Sequence, residues 1–472
     1  MPVVSVVSVV HRRRAAAAGA HLMVACAALG VAGAPLAAQS APKAATKDWA
    51  DPLKNIALVP HWPLTLTLGG QARWREEFFR GFNTLPLNDD HSQTRLLLVA
   101  DLLAGKRTGV WGRAFAEYRD AQSYGRTLPG GVRSNDADRA DFQTAYVDVG
   151  FRASQLRVGR QEIGLARERL FGAPDWANTR RSSQGARLQV THGRFAFEAV
   201  DARPIVVRLK LPNLADSTQR FRTLSVGSST GAKPLARGLP ALWQAYGYEQ
   251  RVRPVNAPAS HAYRLTSGGR VQWQWGTGTS STVSRSLEFE GARQFGTVGT
   301  RNISAGFWIA ETQWQWKRAH GAPSVAVGVE EASSERRETP GTLEVFSVLY
   351  PAAHQHGGYA DVIGRPNVRE VHAISQWQPH TSVDLRGAWY HFDRLRLDDG
   401  VYTKQNTVFR AAGSSQARHV AEEVDLTGTW RATRHLRVIF GGALVLPGAF
   451  LRETLATTET ERWGFVGTTY VF

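Results

Sequence analysis

The chain of 472 residues is 43% hydrophobic and 21% charged, with 45 Gly, 15 Trp, one Cys and a formal charge of +17. That apolar share excludes a disordered chain, and a single cysteine excludes an internal disulfide or a Cys-based structural zinc site. Beyond residue 38 no uncharged apolar run reaches the roughly 18 residues of a membrane helix, which excludes a helical membrane protein.

The N-terminus reads as a targeting segment. Arg12, Arg13 and Arg14 form a basic region, Ala15 to Val31 is mostly apolar, and small residues continue to Ala38. This is the signal-peptide pattern, with cleavage expected after Ala38 and Ala34 or Ser40 as alternatives. An uncleaved anchor over Ala15 to Ala38 is the other reading, which Pro35 and the small residues disfavour. Residues before Cys26 loosely resemble a lipoprotein signal, but Met23 and Val24 are too bulky for it. The expected organisation is a signal peptide over 1–38 and one domain over 39–472, cysteine-free once exported. Without its three leader arginines the charge of +17 falls to +14. For an exported chain the matching polyanion is not nucleic acid but lipopolysaccharide, an acidic polysaccharide or a phosphate-bearing solute.

Period-two alternation governs the rest. Leu64, Leu66 and Leu68 alternate with Thr65 and Thr67, and that second phase continues through Gln71, Arg73 and Arg75. Val147, Val149 and Phe151 alternate with Thr144, Tyr146 and Asp148; Val325, Val327 and Val329 repeat the pattern, as do Val383, Leu385, Gly387 and Trp389. Strands with one apolar and one polar face follow. Many approach ten residues, the length of a tilted strand in a bilayer. Tight turns at Lys106–Gly109, Arg152–Gln155 and His192-Gly193 alternate with long polar stretches: Asp120–Asp141, Ala166–Gly185, Arg203–Pro240 and Leu397–Gln416. Short turns at one end and long loops at the other are the plan of an outer-membrane barrel. The chain closes on Trp463 to Phe472, with Tyr470 two positions before the terminal Phe472, which resembles the signal read by the barrel-assembly machinery. At roughly 24 residues per strand and connection, the exported chain predicts an all-β transmembrane antiparallel barrel of about 18 strands, with short periplasmic turns and long extracellular loops.

Three stretches carry a family resemblance. Val158-Gly159-Arg160-Gln161-Glu162, followed by Trp176, Asn178 and Thr179, is similar to a VGRQE strand and W-x-N-T loop. Gly358-Tyr359-Ala360-Asp361, with Ile363-Gly364 and Asn367, is similar to a GYAD-x-IG loop. Asp399-Gly400-Val401-Tyr402, Ala417-Arg418-His419-Val420, Glu423, Asp425 and Pro447-Gly448 complete the set. In order and spacing they resemble the alginate-export family of outer-membrane barrels. The resemblance implies an outer-membrane channel for alginate or a related polyuronate, a monomer without cofactor, with periplasmic export components as further partners.

The polar phase places Arg73, Arg75, Arg113, Glu117, Arg119, Asp148, Arg157 and Arg187 in the lumen, with Arg160 and Glu162 following from the strand that carries them. Arginine rings make anion-selective pores, and a guanidinium grips a uronate carboxylate bidentately. Each arginine would equally serve as a brace, paired with Glu117, Asp148 or Glu162. The positive excess would then lie at the rim, against lipopolysaccharide. Trp273/Trp275 and Trp314/Trp316, each pair on one strand face, read as interfacial girdle. His354 and His356 lack an evident third metal ligand, and no GxSxG elbow or nucleotide motif occurs. The rival functions are a porin for small anions or oligosaccharides, and an outer-membrane hydrolase of lipid or polysaccharide.

Overall fold

The computed structural model describes residues 47–472 apart from 237, 258, 259, 337 and 353. The leader expected over 1–38 lies outside the described residues. Among those described, eighteen strands form the wall. The first nine are β1 (Leu64–Arg80), β2 (Asn88–Gly105), β3 (Val110–Tyr124), β4 (Asp138–Phe151), β5 (Ser154–Gln161), β6 (Ser183–His192), β7 (Phe195–Val206), β8 (Gln219–Ser228) and β9 (Leu242–Val252). The rest are β10 (Ala262–Trp275), β11 (Val283–Val298), β12 (Arg301–Trp316), β13 (Ser324–Ala332), β14 (Val368–His380), β15 (Val383–Arg394), β16 (His419–Arg431), β17 (Leu436–Pro447) and β18 (Glu461–Val471). Each pairs antiparallel with its chain neighbours, and β18 returns to β1 with Gln71 opposite Val471 and Arg80 opposite Arg462. The sheet is a closed barrel.

Closure requires a close approach at one point. The Gly70 amide donates to the Phe472 carbonyl at 3.0 Å, and the Phe472 amide donates to the Gly70 carbonyl at 3.1 Å. A Cβ at Gly70 would lie 2.6 Å from the Phe472 ring and 2.7 Å from the Leu97 carbonyl oxygen, so only glycine lets the last residue seat here.

The alternation works as the sequence implies. On β1, Arg73, Arg75, Glu77 and Phe79 are buried inside while Trp74 and Phe78 are exposed outside. Outward Trp275, Trp316, Trp377 and Trp430 ring the terminal end, where β1 begins and β18 ends; Phe78, Phe142, Tyr263 and Phe295 ring the other. These two aromatic girdles bound an outward band of residues such as Leu98, Leu224 and Leu426. Connections 106–109, 152–153, 193–194, 381–382 and 432–435 are short and share the terminal end, whereas 125–137, 162–182, 333–367 and 395–418 crowd the opposite one.

Two expectations need correction. The stretch Arg203–Pro240 is not one loop: β8 lies within it, and connections 207–218 and 229–241 fall at opposite ends. Arg220 and Arg222 disguise β8, because they occupy its outward phase near the rim, where charge is tolerated. The interior is also not uniformly polar. Connections 162–182 and 333–367 bring Leu170, Phe171, Phe346 and Tyr350 against inward Phe221, Tyr246, Tyr248 and Phe307, forming an apolar core inside the barrel. The strands facing it carry apolar side chains on their inner faces here because loops, not water, cover them.

The plan fixes a topology test. In intact cells, Arg133→Cys should react with a membrane-impermeant maleimide, and Arg107→Cys only after permeabilisation. The reverse pattern would invert the barrel.

Candidate pore constriction

The inner wall toward the terminal end carries a charged ladder across six strands. Arg113 on β3 grips Asp101 on β2 bidentately at 2.6 and 2.8 Å. Arg157 on β5 grips Asp148 on β4 at 2.7 and 3.0 Å and lies 3.6 Å over the Tyr146 ring. Arg187 on β6, opposite Arg157, binds Glu198 on β7 at 2.6 Å. Three arginines face three carboxylates, so this band is charge-balanced.

Above it connection 162–182 crosses the lumen. Arg73 donates to the carbonyls of Asp175 (2.7 Å), Trp176 and Ala177 (both 3.3 Å) and to Asn178 Oδ1 (3.0 Å). Arg75 donates to the Trp176 carbonyl at 2.7 Å, to Glu77 and to Gln93, and its guanidinium stacks 4.0 Å over the Trp176 ring. Arg95 adds the Asp175 carboxylate at 2.7 Å. Asn178 answers in the other direction, its amide donating to the carbonyls of Thr94, Gln122 and Asp136 at 2.9–3.1 Å. Arg73 and Arg75 therefore face inward and clamp a loop, whose carbonyl oxygens stand where free anions would otherwise sit.

Glu117 and Glu162 both engage Arg180 from this loop, the latter at 2.7 Å. Arg119 is buried against Asp138. Arg160 departs from the expected set: it lines up with exposed Gln184 and Arg203 on the outward phase. At the rim it binds Asp141 at 3.0 Å and the Asn213 carbonyl. With Arg157 inward and Val158 outward, strict alternation along β5 already puts Arg160 outside, so it does not share the phase of Arg157.

The GYAD segment completes the constriction. Tyr359 and Ala360 amides donate to Asp425 (3.1 Å) and Glu423 (2.7 Å) on β16. Asp361 receives Lys404 at 2.5 Å, and Asn367 donates to the carbonyls of Arg396, Asp399 and Gly400. Trp176 meets Tyr359 at 5.5 Å and Phe465 at 4.7 Å between ring centres. His354 packs on Trp176, and His356 Nε2 meets the Arg167 carbonyl at 2.9 Å, so the two point to different partners. Burial drives the His356 pKa well below its ordinary value, keeping it neutral. Alternation missed Trp176, Asn178, Arg180, Tyr359 and Lys404 because they lie on loops; the motifs mark Trp176, Asn178 and Tyr359, and no motif reaches Lys404.

Two cavities sharing Pro174 flank this layer. The one toward the long loops, about 610 Å³, is lined by Arg180, Arg181, Lys404 and Asn406 among others. The one toward the short turns, about 240 Å³, brings Arg73, Arg75 and Arg437 together with Trp176, Tyr359 and Phe465. Arg437 is exposed and joins none of the ion pairs among the described residues. Burial raises the Glu162 pKa, with Arg180 opposing it. Burial also disfavours ionised Asp175, but Arg95 and Arg73 prevail and hold its carboxyl below the usual range.

The family model for alginate export matches residues 64–465. No curated protein sequence matches the chain. Among solved structures it is similar to three from Pseudomonas aeruginosa, each 10% identical. OccK2 (OpdF) gives a TM-score of 0.60 over 86% of this chain and 97% of that one. OccK2 (OpdF) in complex with glucuronate gives 0.57 over 86% and 96%. The outer membrane protein OpdK gives 0.58 over 86% and 98%. At such identity the likeness is one of fold. The molecule is an outer-membrane β-barrel.

Asn178, with one accepted and three donated hydrogen bonds, is the loop's own side chain that ties it most closely to the wall and its neighbours. Asn178→Ala should loosen it by about 2 kcal/mol, the order expected when buried polar partners lose their mate. Single-channel conductance should rise and become noisier while the barrel still resists unfolding in detergent; an unchanged trace would mean other contacts seat the loop.

Proposed function

The chain belongs to the alginate export family, and from that premise we propose that this outer-membrane channel passes an anionic, uronate-bearing saccharide, with alginate or a related polyuronate as leading cargo. The observation that carries the reading is the cavity on the short-turn side of the constriction. There Arg437, with no carboxylate partner, faces the same space as Trp176, Tyr359 and Phe465, beside the guanidiniums of Arg73 and Arg75. Guanidinium suits a carboxylate, and aromatic rings offer flat apolar faces to the C–H faces of a pyranose. Across the loop, Arg181, which no carboxylate matches among the described residues, faces the other cavity beside Arg180 and Lys404, themselves paired with Glu117, Glu162 and Asp361. Arg113, Arg157 and Arg187 line the approach from the terminal end, each bound to an acid, so the cargo meets many weak contacts rather than one deep site. Weak repeated contacts favour passage over retention.

A second reading, a porin for small anions or oligosaccharides, draws on the loops that meet across the lumen. A monouronate would need less displacement of Trp176 and Tyr359 than a polymer. The glucuronate complex of OccK2 supports a uronate as the common element.

In planar bilayers the combination Arg113→Gln, Arg157→Gln and Arg437→Glu should shift the reversal potential toward cations. One unpaired charge near the path is worth about 1 kcal/mol or more, roughly a fivefold change in permeability ratio. The shift should shrink near 1 M salt, where the Debye length is about 3 Å. Oligouronate, but not a neutral oligosaccharide of equal length, should interrupt the current, and less so in the variant. Unchanged selectivity in a folded barrel would remove these arginines from the conduction path.

Acidification supplies an independent check. Because the Glu162 pKa is raised and that of Asp175 lowered, falling pH neutralises Glu162 first and leaves Arg180 less compensated. Anion preference should grow as pH falls into the range just above an ordinary glutamate pKa. Glu162→Gln should show the stronger preference already at neutral pH and lose that step; a titration unaltered by the substitution would assign it elsewhere.

A further inference from the structure

Outside the lumen, the long-loop ends of β15 and β16 bring two histidines and two carboxylates together on the outward face. In register, His391 stands opposite Glu422 and Asp393 opposite His419. His391 Nδ1 lies 2.5 Å from Glu422 Oε1, and His391 Nε2 lies 3.2 Å from Asp393 Oδ2. His419 Nε2 is 3.5 Å from Glu422 Oε1, and the two imidazoles stack at 4.9 Å between ring centres. Ligand atoms of His391, His419 and Glu422 all fall within 4.8 Å of one another.

Three features make this an unusual arrangement for a barrel exterior. The carboxylates of Asp393 and Glu422 make ion pairs only with these histidines, with no arginine or lysine among the described residues neutralising them. His419 Nε2 and Glu422 Oε2 are buried atoms without a hydrogen-bond partner, which normally carries a penalty of about 1–3 kcal/mol each. The cluster also lies one pleat beyond Trp389 and Val424, both exposed on the same face, with Leu426 next along the wall. It therefore sits just past the apolar band, at the interface, where uncompensated negative charge is disfavoured.

We propose that His391, His419 and Glu422 form a site for a divalent transition-metal ion of the zinc class. Two imidazoles and a carboxylate are the donors that such an ion prefers over calcium or magnesium, which favour all-oxygen sites. Donors about 2.0 Å from a tetrahedral ion lie about 3.3 Å apart, close to the 3.5 Å between His419 and Glu422. The shorter approach of His391 Nδ1 to Glu422 is that of a shared proton, which the metal replaces as the two atoms part. Asp393 then holds the opposite ring nitrogen of His391, orienting it as carboxylates orient metal-bound histidines. The fourth position faces outward, toward water or a headgroup oxygen. The site is separate from the lumen and does not depend on the cargo.

The test is calorimetric titration of Zn2+ into the full-length barrel in detergent without an affinity tag, alongside Co2+ followed by its visible absorption. The expected result is one ion per chain, with proton release and the strong absorption of four-coordinate Co2+. His391→Gln with His419→Gln should weaken binding at least 100-fold, and Asp393→Asn by about tenfold as an orienting residue. Equal binding by the double variant, calcium preferred over zinc, or no saturable binding would each overturn the site. Heat-dependent gel migration of every variant separates loss of the site from loss of the fold.

Discussion

Everything in this molecule depends on closing the backbone hydrogen-bond ladder. In hydrocarbon an unpaired peptide group is worth several kcal/mol, so a sheet that crosses a membrane cannot keep a free edge. The seam between β1 and β18, ending in the reciprocal bonds of Gly70 and Phe472, removes that edge. Once closed, the pleat assigns each side chain to lipid or lumen with no intermediate choice. Arg73 and Arg75 are inside because Trp74 is outside.

The enclosed space then sets its own terms. Guanidiniums in a confined lumen need partners, and the acids on neighbouring strands supply only some. Connection 162–182 supplies the rest through backbone carbonyls, so burying the loop and satisfying the arginines are one event. Arg169 shows the same logic with acids: on this loop, it spans Glu288 and Glu290 of β11, both at 2.7 Å. Arg365 from connection 333–367 joins Glu330 and the Arg169 carbonyl. The two loops are thus tied to the wall and to each other, over an apolar core on one side and the Trp176 cluster on the other.

Charge is consequently distributed by function of place. The ladder through Arg113, Arg157 and Arg187 is balanced, which leaves a polar but weakly attractive wall. Cations not matched by a carboxylate, Arg437 and Arg181 among them, face the cavities beside the constriction. Among the described residues Arg181 donates to the Gly172 and Pro351 carbonyls and lies over the Tyr350 ring, and burial lowers its pKa. Outside, arginines near the long-loop rim pair with acids, as Arg220 and Arg222 do with Asp201. A basic composition has thus become a graded interior rather than a uniformly positive tube.

Alternation of Leu64, Leu66 and Leu68 with the phase leading to Arg73 and Arg75 was sufficient by itself to declare a one-sided strand, because the side-chain period of a strand is two. Strand length, turn spacing and the aromatic end identified a membrane barrel, and the VGRQE and GYAD stretches identified its family. Those are local properties, carried by neighbours in the chain. The ladder arginines find acids within 12 positions on a neighbouring strand, but those at the loops reach much further: Arg73 meets Asn178 across 105 positions, and Arg167 meets Glu288 across 121. Whether a lumen arginine is free, braced or clamped on a loop depends on which connection turns inward, and period two is silent on connections. Arg160 is the opposite case: three positions after inward Arg157 it falls on the outward phase, which period two by itself requires. The sequence by itself determined the wall, the topology and the family; only the tertiary structure decided the constriction, because its contacts form between segments that alternation cannot relate.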